Sequence, residues 1–275
     1  YKLTVYDTVT ERMKLAVGKG AEAAKSSKEV AERSDVIITM LPSSPNVREA
    51  FLGKEGIIEG IKKGSIAIDM STIDPVTTRD IAKVLSAKGV KMLDAPVARG
   101  VPAAKAGTLT IYVGGEEEVF NECKDILSAM GTDIHYIGGA GAGEIVKIIN
   151  NVMVATTMCS LAEALVLGVK AGVKPDILFK ALSTGSANSF VLQNHVKNCV
   201  LEGKFEKDVF PVDYMIKDLD LALVTGGNYH VPLYFTSLAH QVYEVARAAG
   251  YGEYYHPVVI RPLEELTGVE VRADL

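Results

Sequence analysis

Residues 138–172 read GGAGAGEIVKIINNVMVATTMCSLAEALVLGVKAG, and the organisation of the chain turns on how this stretch is taken. Glycines at 138, 139, 141 and 143 lead into a helical pattern of about eight turns with no proline. Most globular helices stop by roughly 20 residues, so a longer one predicts a connection between two parts of the molecule. Gly143, Lys147 and Asn151 recur at four-residue spacing and therefore share one face. A buried ammonium is costly unless it is paired or titrates, which makes Lys147 a candidate for chemistry.

The glycine run imitates a dinucleotide-binding loop, since it follows a strand pattern and opens a helix. Its position argues otherwise. It is the last such crossing rather than the first, and no strand ending in an acid follows about 20 residues on. We read it as a close-packed entry to the long helix, where backbone must approach a ligand or another element.

Upstream, residues 3–6, 35–42, 65–69, 91–93, 108–113 and 134–137 have strand character. Residues 9–17, 27–33, 45–52, 74–88 and 116–130 read as helices, with Asp74 as N-cap and Pro75 at the first position of its helix. The apolar run 35–42 predicts a strand buried on both faces. Alternation of this kind means βαβ units and a mainly parallel sheet. Downstream, residues 175–183, 189–201, 212–225, 231–249 and 256–265 are helical and separated by Gly, Pro and Asn. The expectation is an α/β domain over 1–139 and an all-α domain over 140–275, joined by the long helix.

Composition narrows the partners. At 48% hydrophobic and 23% charged, the 275 residues are those of a globular protein. A net charge of −5 excludes a general nucleic-acid or anionic-membrane surface. Thr156, Thr157, Ser160 and Glu163 interrupt the longest apolar run, so no membrane span is expected, and the first residues do not resemble a signal peptide. Cys123, Cys159 and Cys199 are odd in number and widely spaced, which predicts reduced thiols and a cytoplasmic protein. His135, His195, His230, His240 and His256 lack paired ligand spacing, so no metal site is expected. Apolar stretches such as 231–235 predict a homo-oligomer, a dimer or tetramer.

In doubly wound sheets ligands sit beyond the carboxyl ends of the strands, and the residues found there are the candidates. Asp7 either binds ribose hydroxyls or caps the following helix; position alone leaves both readings open. Met40, Leu41 and Pro42 are apolar and rigid enough to line a cofactor ring, while Pro42 also suits a strand end. Ser71 and Thr72 offer hydroxyls to a ligand or to local turn backbone. Ala98, Arg99 and Gly100 lie in a loop punctuated by Pro and Gly. There a guanidinium fork and backbone N–H groups could receive an anion. No G-x-G-x-x-G loop stands between a first strand and first helix.

The ordered motifs strand-Asp7, MLP (40–42), DMSTIDP (69–75), DAPV (94–97), GTL (107–109), VGG (113–115), G-x-G-x-x-x-K-x-x-x-N ending at Asn151 and KDL (217–219) resemble the β-hydroxyacid dehydrogenases, the family of 3-hydroxyisobutyrate dehydrogenase. The resemblance implies a Rossmann-like NAD-binding domain, a helical substrate and oligomerisation domain, and NAD-dependent interconversion of a small 3-hydroxy acid and its semialdehyde. For the cofactor the resemblance implies NAD(P); an acid in the place of Asp7 would repel a 2′-phosphate, so NAD is expected rather than NADP. It makes Lys147 the catalytic lysine, with Asn151 its partner in holding the substrate. Asp7, Met40, Leu41, Pro42, Ser71, Thr72 and Lys217 fall on the cofactor side, and Ala98, Arg99 and Gly100 on the substrate side.

Two departures stand out. The family begins with a strand and glycine loop that precede Asp7, which predicts that these residues come from a longer polypeptide. Where the family usually has Ser-Gly-Gly after DAPV, this chain has Ala98-Arg99-Gly100, resembling the sulfolactaldehyde reductase branch and opening the alternative of a sulfonate substrate. Further rivals are a phosphogluconate-type decarboxylating enzyme, for which the helical half is short, and a non-catalytic scaffold of the same fold.

Overall fold

The computed structural model describes residues 1–207 and 209–273. They divide into two compact units, Tyr1–Lys147 and Ile148–Leu275, so the division falls within the long helix rather than at its glycine entry.

In the first unit, β1 (Thr4–Val5) and β2 (Glu22–Ala23) flank α1 (Thr10–Val17) and pair in parallel as a two-stranded sheet. There follow α2 (Ser27–Glu32), β3 (Val36–Thr39), α3 (Ser44–Leu52), α4 (Ile57–Gly60), β4 (Ile66–Asp69), α5 (Pro75–Ser86), β5 (Lys91–Asp94) and β6 (Val97–Ala98). Then come α6 (Gly100–Ala106), β7 (Leu109–Gly115), α7 (Glu117–Ser128) and β8 (Gly131–Gly138). Strands β3 to β8 form a six-stranded sheet in the order β3-β4-β5-β7-β6, with β8 also paired to β7. The pairs β3·β4, β4·β5 and β7·β8 are parallel, and β7 runs antiparallel to β5 and β6.

The interior strand β4, flanked by β3 and β5, explains the two-sided core. Successive side chains of a strand point to opposite faces. Ala67 therefore joins Ile37, Val47, Phe51, Ile81 and Leu85 in one cluster, while Ile68 joins Leu93, Ile111, Val119, Cys123 and Leu127 in another. Asp74 caps α5 as its sequence predicts, accepting the Thr77 N–H at 3.0 Å, with Pro75 in the first turn. Two expectations need correction. β3 is not buried on both faces among the described residues: Ile37 and Thr39 are buried, and Ile38 is 41% exposed. The segment after Arg99 is a helix rather than a loop. Ala103, Ala104 and Ala106 favour helix, Pro102 is tolerated in the first turn, and Gly107 closes it at φ 67°.

The second unit is built on α8 (Ala142–Lys170), which begins in the first unit, and continues with α9 (Pro175–Thr184), a π-helix at Val191–Val200, α10 (Val212–Asn228), α11 (Tyr234–Ala246), a 3₁₀ turn at His256–Ile260 and α12 (Arg261–Thr267). By length and composition alone α8 could cross a bilayer. Its apolarity has a nearer use: Ala155, Met158, Leu161, Leu165 and Val166 form one side of the second unit's core, against Leu192, Val196, Ile216, Leu219 and Tyr243.

That core also holds two neutral histidines. The His256 ring is 2% exposed, with Nδ1 2.9 Å from the Tyr243 hydroxyl, and His195 lies edge-on to it at 4.8 Å between centroids. Burial pushes His195 down to about 4 and, together with the neighbouring His195, holds His256 well below the ordinary range. The unfolded chain takes up protons near 6.5 that the folded chain rejects, so stability is lost as pH falls from 6.5 towards about 4. Thermal melts followed by circular dichroism should show Tm falling through that window, with a shallower fall in His195→Phe.

Candidate active site

The glycine entry places the first turn of α8 hard against the sheet. A Cβ on Gly143 would stand 2.3 Å from the Tyr112 carbonyl oxygen and 2.9 Å from Asp94 Oδ2, so only glycine fits. Gly141 has φ 81° and donates its N–H to Asp94 Oδ1 at 2.7 Å. Lys147 follows one turn after Gly143 and is 7% exposed; Asn151 follows after another turn and is 4% exposed. The stripe read from the sequence is thus buried along its length.

Asn151 is held from two sides. Its Oδ1 accepts from Asn150 Nδ2 at 2.9 Å, and its Nδ2 donates to Asp218 Oδ2 on α10. Asp218 is 1% exposed, and its other oxygen lies 2.9 Å from Lys217 Nζ. Asp218 therefore joins two expected site residues, Asn151 and Lys217. Sequence reasoning passed over it, although an acid inside KDL on an otherwise apolar helical face was the available signal.

The ends of β3 and β4 form a second group. Thr39 and Asp69 are register partners, so Met40–Pro42 and Ser71–Thr72 leave the sheet side by side. The Leu41 N–H donates to Ser71 Oγ at 2.8 Å, and Ser71 Oγ donates to Asp69 Oδ1 at 2.6 Å. Ser71 is fully buried, so its hydroxyl ties the MLP segment to the strand end, as the turn reading of this residue predicts. Leu41 and Thr72 are half-buried, Pro42 is exposed, and Met40 is 65% exposed at the strand end. Thr39 Oγ1 also donates to Asp69 at 2.8 Å. Even so, burial raises the Asp69 carboxyl above its ordinary range, and the charge of Asp94, its register partner on β5, adds to that.

The remaining candidates stand on separate segments. Asp7 accepts the Val9 N–H at 2.7 Å and has Arg12 at 3.9 Å, so it shapes the turn into α1 while its side chain stays about one-third exposed. Ala98 pairs with Thr110 on β7. Arg99 adopts φ 81° at the start of α6, its Nη1 3.0 Å from Asp133 Oδ2, and Gly100 follows at φ 69°. Among the described residues no group of three or more His, Cys, Asp or Glu could hold a metal.

These residues fit the adenosine-ribose and nicotinamide ends of a dinucleotide. A partly exposed acid, Asp7, follows β1, and the exposed Met40 and Pro42 follow β3, beyond the carboxyl ends of the strands where such sheets bind ligands. When bound, the nicotinamide supplies the hydride acceptor or donor.

Comparison with known proteins identifies the family. Residues 1–138 match the NAD-binding domain model of 6-phosphogluconate dehydrogenase. Residues 141–263 match the NAD-binding model of NADP-dependent 3-hydroxyisobutyrate dehydrogenase. The chain is 40% identical over 271 residues to 2-(hydroxymethyl)glutarate dehydrogenase of Eubacterium barkeri, covering 98% of this chain and 90% of that one. It is 37% identical over 270 residues to mitochondrial 3-hydroxyisobutyrate dehydrogenase of Mus musculus, covering 96% and 81%. The structure of 3-hydroxyisobutyrate dehydrogenase from Mycobacterium tuberculosis with L-serine superposes with a TM-score of 0.86 at 28% identity, over 96% and 91% of the two chains. The chain belongs to the β-hydroxyacid dehydrogenase family, the NAD-binding oxidoreductases of the 3-hydroxyisobutyrate dehydrogenase type that act on CH–OH groups.

Proposed function

We propose that the protein interconverts a small 3-hydroxy acid and its semialdehyde, with Lys147 as general acid/base. The observation that carries this reading is the buried polar stripe of α8, Lys147 one turn before a fixed Asn151 amide. Oxidation requires loss of the hydroxyl proton, and reduction requires a proton for the nascent alkoxide. An amine does both when its pKa falls from about 10.4 towards working pH, which a site poor in water favours. Asn151 can hydrogen-bond the same hydroxyl without competing for its proton. Because Asn150 and Asp218 occupy part of that amide, its orientation is set before substrate arrives, which reduces the ordering left to binding.

On the cofactor side, Asp7 hydrogen-bonds the ribose hydroxyls and repels a 2′-phosphate, selecting NAD over NADP. Met40, Leu41 and Pro42 line the ring, with Thr72 beside them and Ser71 holding the segment; Lys217 is the cofactor-side residue that the second unit carries. The first unit then carries Lys147, Ala98, Arg99, Gly100 and most of the cofactor residues, and the second carries Asn151, Lys217 and the surface for assembly. Met153, Leu167, Tyr234, Phe235 and Leu238 are each more than half exposed, which favours a homodimer or homotetramer. The cysteines are all free, as in the reducing cytoplasm.

Ala98, Arg99 and Gly100 receive the acid group. The Arg99–Asp133 pair is half-exposed, and such surface pairs contribute only about 0–1 kcal/mol, so an incoming anion displaces Asp133 at little cost. The same observation supports a second reading, in which Arg99 meets an anion lying farther from the hydroxyl: a sulfonate, or the second carboxylate of a dicarboxylic acid. The similarity to 2-(hydroxymethyl)glutarate dehydrogenase supports the dicarboxylate form.

Lys147→Ala should keep NADH affinity by fluorescence titration and lose kcat by roughly 10²-fold or more; near-normal turnover would remove the lysine from the mechanism. Arg99→Ala should raise KM for the anionic substrate several-fold and leave NAD binding unchanged. Equal effects on both would assign Arg99 to the cofactor side. Steady-state rates with 3-hydroxyisobutyrate, 2-(hydroxymethyl)glutarate and a three-carbon sulfonate analogue separate the two readings.

A further inference from the structure

Lys147 lies early in α8, so its aim depends on how the first turn of that helix is seated. The first N–H groups of a helix lack intrahelical partners, and a local Ser, Thr, Asp or Asn usually serves them. Here the preceding residues are Gly138, Gly139, Ala140 and Gly141, none of which can. The cap comes from another part of the chain. Asp94, at the end of β5, accepts the Gly141 N–H at 2.7 Å and the Glu144 N–H at 3.1 Å, and the Gly143 N–H also supports its carboxylate. It sits in a slot with no slack, since a Cβ on Gly114 would lie 2.6 Å from its Oδ1.

A second tie runs the other way. Glu144 is 0% exposed, and its Oε2 accepts the Ile73 N–H, just beyond Ser71 and Thr72, at 3.1 Å. A strand carboxylate thus grips helix backbone while a helix carboxylate grips strand-end backbone. One tie alone leaves the turn free to pivot; two, from β5 and from the segment after β4, fix both its advance and its rotation.

We propose that Asp94 and Glu144 are positioning residues for Lys147, forming a reciprocal clamp that seats the first turn of α8 on the ends of β4 and β5. The clamp rests on the reading of Lys147 as the proton-transferring group. Neither carboxylate contacts the substrate; each acts through the helix.

The test compares Glu144→Ala, Glu144→Gln and Asp94→Asn in the full-length protein, with Lys147→Ala as reference. Glu144→Ala and Asp94→Asn should lose roughly tenfold in kcat, with KM for NAD changed less than about twofold, because a displacement of about 1 Å costs that much or more. Glu144→Gln keeps an oxygen for the Ile73 N–H and should restore most of the rate. A second readout needs no substrate. Acetic anhydride labelling of Lys147, read by peptide mass spectrometry against Lys217, should rise several-fold in Glu144→Ala and stay near wild type in Glu144→Gln. Should Asp94→Asn fail to fold, the Glu144 pair carries the test, since the rescue by Gln distinguishes seating from general stability.

Equal losses in the Ala and Gln variants, or wild-type kcat and labelling in Glu144→Ala beside an inactive Lys147→Ala, would overturn the clamp alone. Wild-type turnover in Lys147→Ala would overturn the reading beneath it, and the clamp's catalytic role with it.

Discussion

The carboxylate of Asp94 in the first turn of α8 is the contact on which the rest of the site depends. It is 1% exposed and takes N–H donors from Gly141 and Glu144. Hydrogen bonds from backbone amides favour the charged form and burial opposes it; burial is the larger effect, and the pKa lies above its ordinary value. An acid held under that tension is strongly committed to its partners, because losing them would leave a desolvated group with nothing in exchange. Its neighbour Asp69 shows the same balance: three donors on Oδ1, and a pKa still raised by burial. The carboxyl ends of β4 and β5 are thus built from acids whose geometry is dictated by backbone and hydroxyl donors.

Polar groups of the site differ in how firmly they are fixed. Asn151 and Asp218 are both buried, and each satisfies the other inside the second unit. Breaking such a buried contact leaves an unpaired group and costs about 1–3 kcal/mol or more. Arg99 and Asp133 are about half exposed, where a pair contributes about 0–1 kcal/mol. The contrast suits a division of labour. Asn151, proposed to hold the reacting hydroxyl, is fixed in place, whereas Arg99, proposed to meet the acid group, can exchange its partner at little cost.

Parts of this arrangement are legible in the sequence because they rest on local rules. Asp74-Pro75 announces a helix start, the long proline-free apolar run after Gly143 announces the 29-residue helix, and the stripe Gly143, Lys147, Asn151 is visible from spacing alone. Other parts are not. Strand β7 runs antiparallel to β5 and β6, and no pattern of hydrophobicity within a strand encodes its partner's direction. Residues 189–201 read as ordinary helix, whereas the fold winds Val191–Val200 as a π-helix, with Leu201 N–H bonding Val196 O. Ser71 offers a hydroxyl in the sequence, and only the paired ends of β3 and β4 reveal that Asp69 and Leu41 already occupy it.

By itself the sequence determined the class of each half, the long helix, and which cation and amide lie on its buried face, because periodicity and punctuation act within a few residues. Tertiary structure alone decided how that face is held. Asp94 reaches Gly141 across 47 residues, Glu144 reaches Ile73 across 71, and Asn151 reaches Asp218 across 67. Contacts at such separations depend on which strands pair and how helices pack, and a buried carboxylate finds its donors only when the chain has closed around it.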